Sequence, residues 1–154
     1  MTADGDDPPR LLLDAMLGKL ATYLRMCGID AAYALDRGVE ADDELLAIAR
    51  DEGRLLVTRD RQLARRADHA LLLETKPVTD RLRELQAAGF DLSPDEPRRC
   101  ADCNAELVAV SENAETSDYA PNANGQSVWR CPGCDKHFWK GSHWDDVRRT
   151  LTHL

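Results

Sequence analysis

Two sets of residues in this 154-residue chain have the types and spacing to do chemistry, and the first is carboxylic. Leu11-Leu12-Leu13-Asp14 and Leu55-Leu56-Val57-Thr58-Arg59-Asp60 are short apolar runs that end in an aspartate, and Asp42-Asp43-Glu44 opens a helical pattern between them. An apolar run closed by an acid reads as a buried strand delivering a carboxylate to its carboxyl-terminal edge. If Asp14, Asp42, Asp43 and Asp60 meet at one sheet edge, they repel one another unless a divalent cation neutralises them. Oxygen-only donors favour Mg2+ or Mn2+. Such a centre lowers the pKa of a bound water and stabilises charge on a phosphoryl group. Each acid also has a plainer reading. Asp42, Asp43 and Asp60 can cap helices, whereas Asp14, set between an apolar strand and an apolar helix, is costly without a partner.

The second set is made of thiols. Cys100-Ala101-Asp102-Cys103 and Cys131-Pro132-Gly133-Cys134 are two C-x-x-C pairs, the second in the Pro-Gly form of a tight knuckle. Each pair can direct two thiolates at one tetrahedral zinc, and a long insert between pairs is usual for a zinc ribbon. Redox disulfides are the competing reading, and a cytoplasmic setting disfavours them. Cys27 falls on the apolar stripe of a helix, where it acts as a small buried hydrophobe.

The elements that must position these groups alternate. After a loose leader over residues 1–9, a strand ends at Asp14 and a helix runs from Leu17 to Gly28 on Leu17, Leu20, Ala21, Leu24 and Cys27. Ile29 to Leu35 reads as a strand, and Asp42 to Gly53 as a helix. The strand that ends at Asp60 follows, then a short helix from Arg61 to Ala67. Another strand from His69 to Glu74 and a helix on Val78, Leu82 and Leu85 complete the series. Alternation with short connections is the pattern of a three-layer α/β domain with a parallel sheet, placed here at 10–92. Asp91 to Pro97 is a linker. The zinc ribbon and a C-terminal helix take 98–154, with Ser111 to Ser127 a loose polar finger. Lys136 to Lys140 returns as a strand, Ser142 caps the last helix, and Trp144, Val147, Leu151 and Leu154 share its buried face.

A formal charge of −8 argues against a protein that coats nucleic acid with its whole surface, but it leaves room for a local basic patch. Lys19 and Arg25 lie on the helix after Asp14, and Arg59, Arg61, Arg65 and Arg66 surround Asp60 in sequence. Together they can form a positive rim that holds a phosphodiester backbone; the plainer reading is a solvated charged face. No apolar run reaches the length of a membrane span, and the acidic N-terminus is unlike a signal peptide, so a cytoplasmic location is expected.

Leu12 to Ala21, Leu24 to Gly28, Asp42 to Leu46 and Leu56 to Asp60, followed by the four cysteines and Gly141-Ser142-His143-Trp144, resemble the Mut-seven C-terminal RNase family over residues 10–154. The resemblance implies a PIN-like nuclease domain with an added zinc ribbon. It implies that Asp14, Asp42 or Asp43, and Asp60 bind the catalytic metal, with Thr58 supporting Asp60. The partner it implies is RNA, gripped by the cationic rim and by ribbon residues such as Trp139, Lys140 and His143. A second copy of the chain, the ribosome and tRNA are further candidate partners, and a membrane is not. The leading expectation is therefore a ribonuclease that cleaves RNA with an activated water. An RNA- or ribosome-binding module without catalysis is the alternative. A phosphoacceptor domain centred on Asp60 ranks last, because the chain has no late strand-end lysine.

Overall fold

The computed structural model describes residues 8–154. The leader expected over residues 1–9 therefore lies outside the described residues except for Pro8 and Pro9. Four strands, β1 (Leu11–Leu13), β2 (Ala31–Tyr33), β3 (Leu55–Thr58) and β4 (Ala70–Leu72), form one sheet in the order β2-β1-β3-β4, parallel throughout. β1 and β3 are central, with Leu13 in register with both Tyr33 and Val57. A central parallel strand is buried on both faces and can carry an unbroken apolar run. Leu11, Leu12 and Leu13 are accordingly all buried.

Successive residues of these strands serve opposite layers. Leu11, Leu13 and Val57 pack with α1 (Gly18–Met26), α4 (Val78–Ala87) and α5 (Ser142–Thr152), through residues such as Leu20, Leu24, Leu82, Trp144 and Val147. Leu12 and Leu56 face the other side. They meet Leu45 and Ala49 of α2 (Asp42–Glu52) and Leu63 of α3 (Arg61–Arg66). The result is the expected α/β architecture with helices on both faces. Helix α5, last in sequence, thus belongs to the core of the parallel layer. Each fully buried side chain of the size of Val147 or Leu151 contributes about 1.5–3 kcal/mol.

Strands β5 (Val108–Ala109), β6 (Trp129–Arg130) and β7 (His137–Phe138) form a separate antiparallel ribbon. A polar clasp ties it to β2. Asn104, in the left-handed conformation just after the first C-x-x-C, accepts the Ala31 N–H on Oδ1 at 3.0 Å and donates from Nδ2 to Asp30 at 2.7 Å. Arg25 completes the clasp: Nε donates to the Ala31 carbonyl at 2.9 Å, Nη1 to the Ala101 carbonyl at 3.0 Å and Nη2 to Asp36 at 2.9 Å.

Three local expectations change. The strand expected over Ile29–Leu35 stops at Tyr33, because Ala34–Arg37 winds into a 3-10 turn. Gly141, not Ser142, is the N-cap of α5, and no side chain caps that end. The insert from Ser111 to Ser127 folds back onto the ribbon. Thr116 Oγ1 donates to the Pro121 carbonyl, Ser117 meets His137, and Tyr119 lies against Trp139.

Candidate functional site

Asp14 leaves β1 at its carboxyl end and is only 8% exposed. Its Oδ1 accepts the Ala15 N–H at 2.7 Å, and its Oδ2 accepts the Thr58 hydroxyl at 2.7 Å. Thr58 is the last residue of β3 and fully buried, and its Oγ1 also accepts the Asp60 N–H at 3.0 Å. One hydroxyl therefore joins the Asp14 carboxylate to the backbone of Asp60 at two neighbouring strand ends. Tyr33 closes the other side: it ends β2 and donates its hydroxyl to the Ala15 carbonyl at 2.6 Å. Burial, Asp36 and Asp14 all push the Tyr33 phenol up. A Cβ on Gly18 would stand 2.9 Å from that phenolic oxygen, so the start of α1 admits only glycine without displacing the ring.

The remaining acids are spread around this edge. Asp60 caps α3, its Oδ1 accepting from Gln62 N–H at 2.9 Å and Leu63 N–H at 3.2 Å. Its Oδ2 stays unused among the described residues, and the residue is exposed. Asp42 and Asp43 are the first two residues of α2 and do not cap it, since Ala41 holds that position. Asp43 is paired with Arg66, and Asp42 is exposed. The convergence of three or four acids on one ion is not met: among the described residues, no three carboxylates bring ligand oxygens within 4.8 Å of one another. The donors present suit a cation held by one or two carboxylates with water completing its shell, which is the habit of Mg2+.

The expected cationic rim divides. Lys19 is exposed, and Arg61 forms an exposed ion pair with Glu74 at 3.1 Å. Arg59 has a buried Nε with no hydrogen-bond partner among the described residues. Burial and the neighbouring Arg59 charge together hold Arg81 below its ordinary value against the opposing pull of Glu84, a carboxylate that also feels the Arg59 charge, so the two cations share one carboxylate neighbour. Arg25 is corrected from a substrate contact to a structural tether, because it is 3% exposed and spends its guanidinium on Ala31, Ala101 and Asp36.

The four cysteines are the clearest ligand set. Their sulfurs all lie within 4.8 Å of one another, with Cys100 and Cys134 at 3.7 Å and Cys103 and Cys131 at 3.4 Å. Tetrahedral zinc with Zn–S bonds of about 2.3 Å needs sulfurs about 3.8 Å apart. The cluster can therefore hold a structural metal such as zinc. Burial pushes the Cys131 thiol up, but the backbone N–H of Cys134, the Cys103 thiol and the N–H of Gly133 outweigh it and bring the group to about 7. Cys27, by contrast, is pushed up to about 12 by burial and by Asp91, as suits a packing residue.

The Gly141-Ser142-His143-Trp144 run divides its tasks. A Cβ on Gly141 would stand 2.6 Å from the Trp139 indole nitrogen, so the glycine makes room for that ring. Trp144 is buried in the main core, while Ser142 and His143 stay exposed on the first turn of α5. The residues that sequence reasoning missed are Tyr33, Asn104 and Tyr119. None of the three carried a sequence signal, since the strand expected over Ile29–Leu35 put Tyr33 inside it rather than at its end.

A family model described as "Mut7-C RNAse domain" matches residues 9–151. The chain belongs to this family, whose name points to a nuclease or RNA-related role. No curated protein and no solved structure matches the chain. No helix among the described residues is long and apolar enough to cross a membrane.

Proposed function

We propose that the protein is a metal-dependent ribonuclease with a PIN-like nuclease domain, and that zinc holds its ribbon. The observation that carries the reading is Thr58 at the carboxyl edge of a parallel sheet, whose hydroxyl donates to the Asp14 carboxylate and accepts the Asp60 backbone N–H, in a chain of an RNase-named family. Open α/β sheets bind ligands at this edge. Asp14 and Asp60 would hold Mg2+ or Mn2+, with Asp42 and Asp43 nearby on α2. The metal would supply an activated water and charge stabilisation at the phosphate.

The side chains here have separable tasks. Thr58 fixes Asp14 Oδ2 by donating its hydroxyl, and so aims the carboxylate. Asp60 spends one oxygen on capping α3, which holds its other oxygen in place. Tyr33 locks the Ala15 carbonyl and shapes the floor beside Asp14. Arg59, whose buried Nε has no partner among the described residues, favours an anion such as the backbone phosphate, and Arg81 adds a second positive charge beside it. Lys19 and Arg61 add exposed charge to the same grip.

The test is cleavage of a single-stranded RNA with added Mn2+. The native chain should degrade it, and Asp14→Asn and Asp60→Asn should each lose the activity. Equal cleavage by the Asp variants would defeat the reading. The second reading is RNA binding without cleavage, and the lack of a three-acid cluster among the described residues favours it. Salt-sensitive binding with no product under Mg2+ or Mn2+ would select it.

A further inference from the structure

The ribbon and the first turn of α5 enclose a cleft of about 250 Å3 with largely aromatic walls. Tyr119, His137, Phe138, Trp139, His143 and Trp144 line it. Tyr119 reaches in from the insert and is 58% exposed. Its ring centre lies 5.9 Å from that of Trp139 at a tilt of 36°, and 6.4 Å from that of His137 in an edge-on arrangement. The Tyr119 hydroxyl accepts the His137 backbone N–H at 2.9 Å, which fixes the ring to β7. Ring faces held open in this way forgo burial that would stabilise the chain, so they call for a flat ligand.

The polar groups narrow its chemistry. Ser117 Oγ and His137 Nδ1 are hydrogen-bonded at 2.8 Å, which leaves Nε2 as the free polar edge of the ring. Ser142 and His143 add a hydroxyl and an imidazole on the opposite wall. Lys140, beside Trp139, is exposed and makes no ion pair among the described residues. A purely apolar ligand would leave these groups unpaired. A duplex cannot enter, because its bases are stacked inside it. The volume suits a single ring system.

We propose that this cleft binds one unpaired nucleobase of a single-stranded RNA, stacked on Trp139 and Tyr119, with its edge toward His137, Ser142 and His143 and its phosphate near Lys140. The proposal rests on the RNA reading above and adds where the strand is held. Met26 ends α1 and lines the cleft, while Asp14 caps the 3-10 turn Ala15–Leu17 that leads into that nine-residue helix. The base site and the acid edge are thus separated by roughly the length of α1, about 13 Å. A strand anchored in the cleft would be cut a few nucleotides away.

Tryptophan fluorescence of the full, zinc-loaded chain tests this without added Mg2+ or Mn2+. The titrants are a short single-stranded oligoribonucleotide and an abasic ribose-phosphate strand of equal length. The first should quench the signal, and the second should bind roughly ten- to a hundredfold more weakly. Trp139→Ala and Tyr119→Ser should weaken binding of the first strand to the level of the second, whereas Trp139→Phe should keep most of the affinity. If Trp139→Ala loses its zinc, Tyr119→Ser decides alone. Equal affinity for both strands, or no loss in Tyr119→Ser, would overturn the base site while leaving cleavage by Asp14 and Asp60 intact. Quenching by a proline-rich peptide and by neither strand would overturn it in favour of a protein partner. Base-dependent binding together with unimpaired cleavage by Asp14→Asn would leave the cleft standing and remove the nuclease reading.

Discussion

Thr58 donates its hydroxyl to Asp14 Oδ2 at 2.7 Å across the β1–β3 pair, and both groups are buried. Thr58 Oγ1 in turn accepts the Asp60 backbone N–H, so a change at Thr58 reaches the Asp14 carboxylate and the main chain at Asp60. Thr58→Val keeps the volume and removes the hydroxyl. It should cost about 1–3 kcal/mol, because a buried acceptor and an amide each lose a partner. RNA cleavage should fall by at least tenfold, in line with a carboxylate no longer aimed. Urea unfolding and a cleavage assay measure the two effects separately, and a variant with native values in both would remove Thr58 from the site.

Gly18 tests the floor of that edge. Its backbone is ordinary helix, so alanine is penalised only by the Tyr33 ring that a Cβ would meet. Gly18→Ala should shift Tyr33, break its bond to the Ala15 carbonyl and destabilise the chain by about 1–3 kcal/mol as an overpacking change. Gly18→Ala combined with Tyr33→Phe should be less than additive, because both remove the same contact. Full additivity would place the strain elsewhere.

The acid limb of the stability curve should come from Glu52 and Asp30. Hydrogen bonds from Arg37 and then Arg54 pull the Glu52 carboxyl down to about 2 against the opposing effect of burial. Asp30 is lowered as well: burial raises it, but Arg54 and Asn104 prevail. A carboxyl held below its unfolded value of about 4.3 contributes stability that is complete above that pH and disappears as the pH falls toward 2. Urea midpoints should therefore be level above about pH 5 and decline below it. Arg54→Met should lessen this decline and cost about 1–3 kcal/mol at neutral pH, since Asp30 and Glu52 each lose one charged partner while Asn104 and Arg37 remain.

The thiol cluster predicts one zinc per chain, measurable by elemental analysis of the purified protein. Cys103→Ala should abolish it. Because structural zinc supplies the folding energy of small ribbons, the variant should lose ordered ribbon structure, seen as a changed Trp129 and Trp139 emission. The parallel layer should keep its helical circular dichroism.

What the chain disclosed in advance followed burial. β1 and β3 lie between two helical layers, so Leu11–Leu13 and Leu55–Val57 stand out as unbroken apolar runs, and the acids after them fall where such strands end. The C-x-x-C pairs were legible because metal geometry is local to each knuckle. Arg25 was misplaced for the opposite reason: a charged residue reads as exposed unless its acceptors are known, and one of them, Ala101, is 76 residues away. Asn104 and Tyr119 were silent on the same grounds, each defined by a partner that only the folded chain brings near. Asp60 carries both of its readings at once, as a cap through one oxygen and with the other oxygen left unused.

β2 is an outer strand, and the outward-facing backbone groups of Ala31 are both occupied, the N–H by Asn104 and the carbonyl by Arg25. An open strand edge is a template for pairing with another chain. Asn104 of the ribbon and Arg25 of α1 therefore cover this stretch of the edge. Loss of the first knuckle would free the Ala31 N–H that Asn104 occupies. Loss of metal should then show first as aggregation, ahead of any loss of the parallel layer itself.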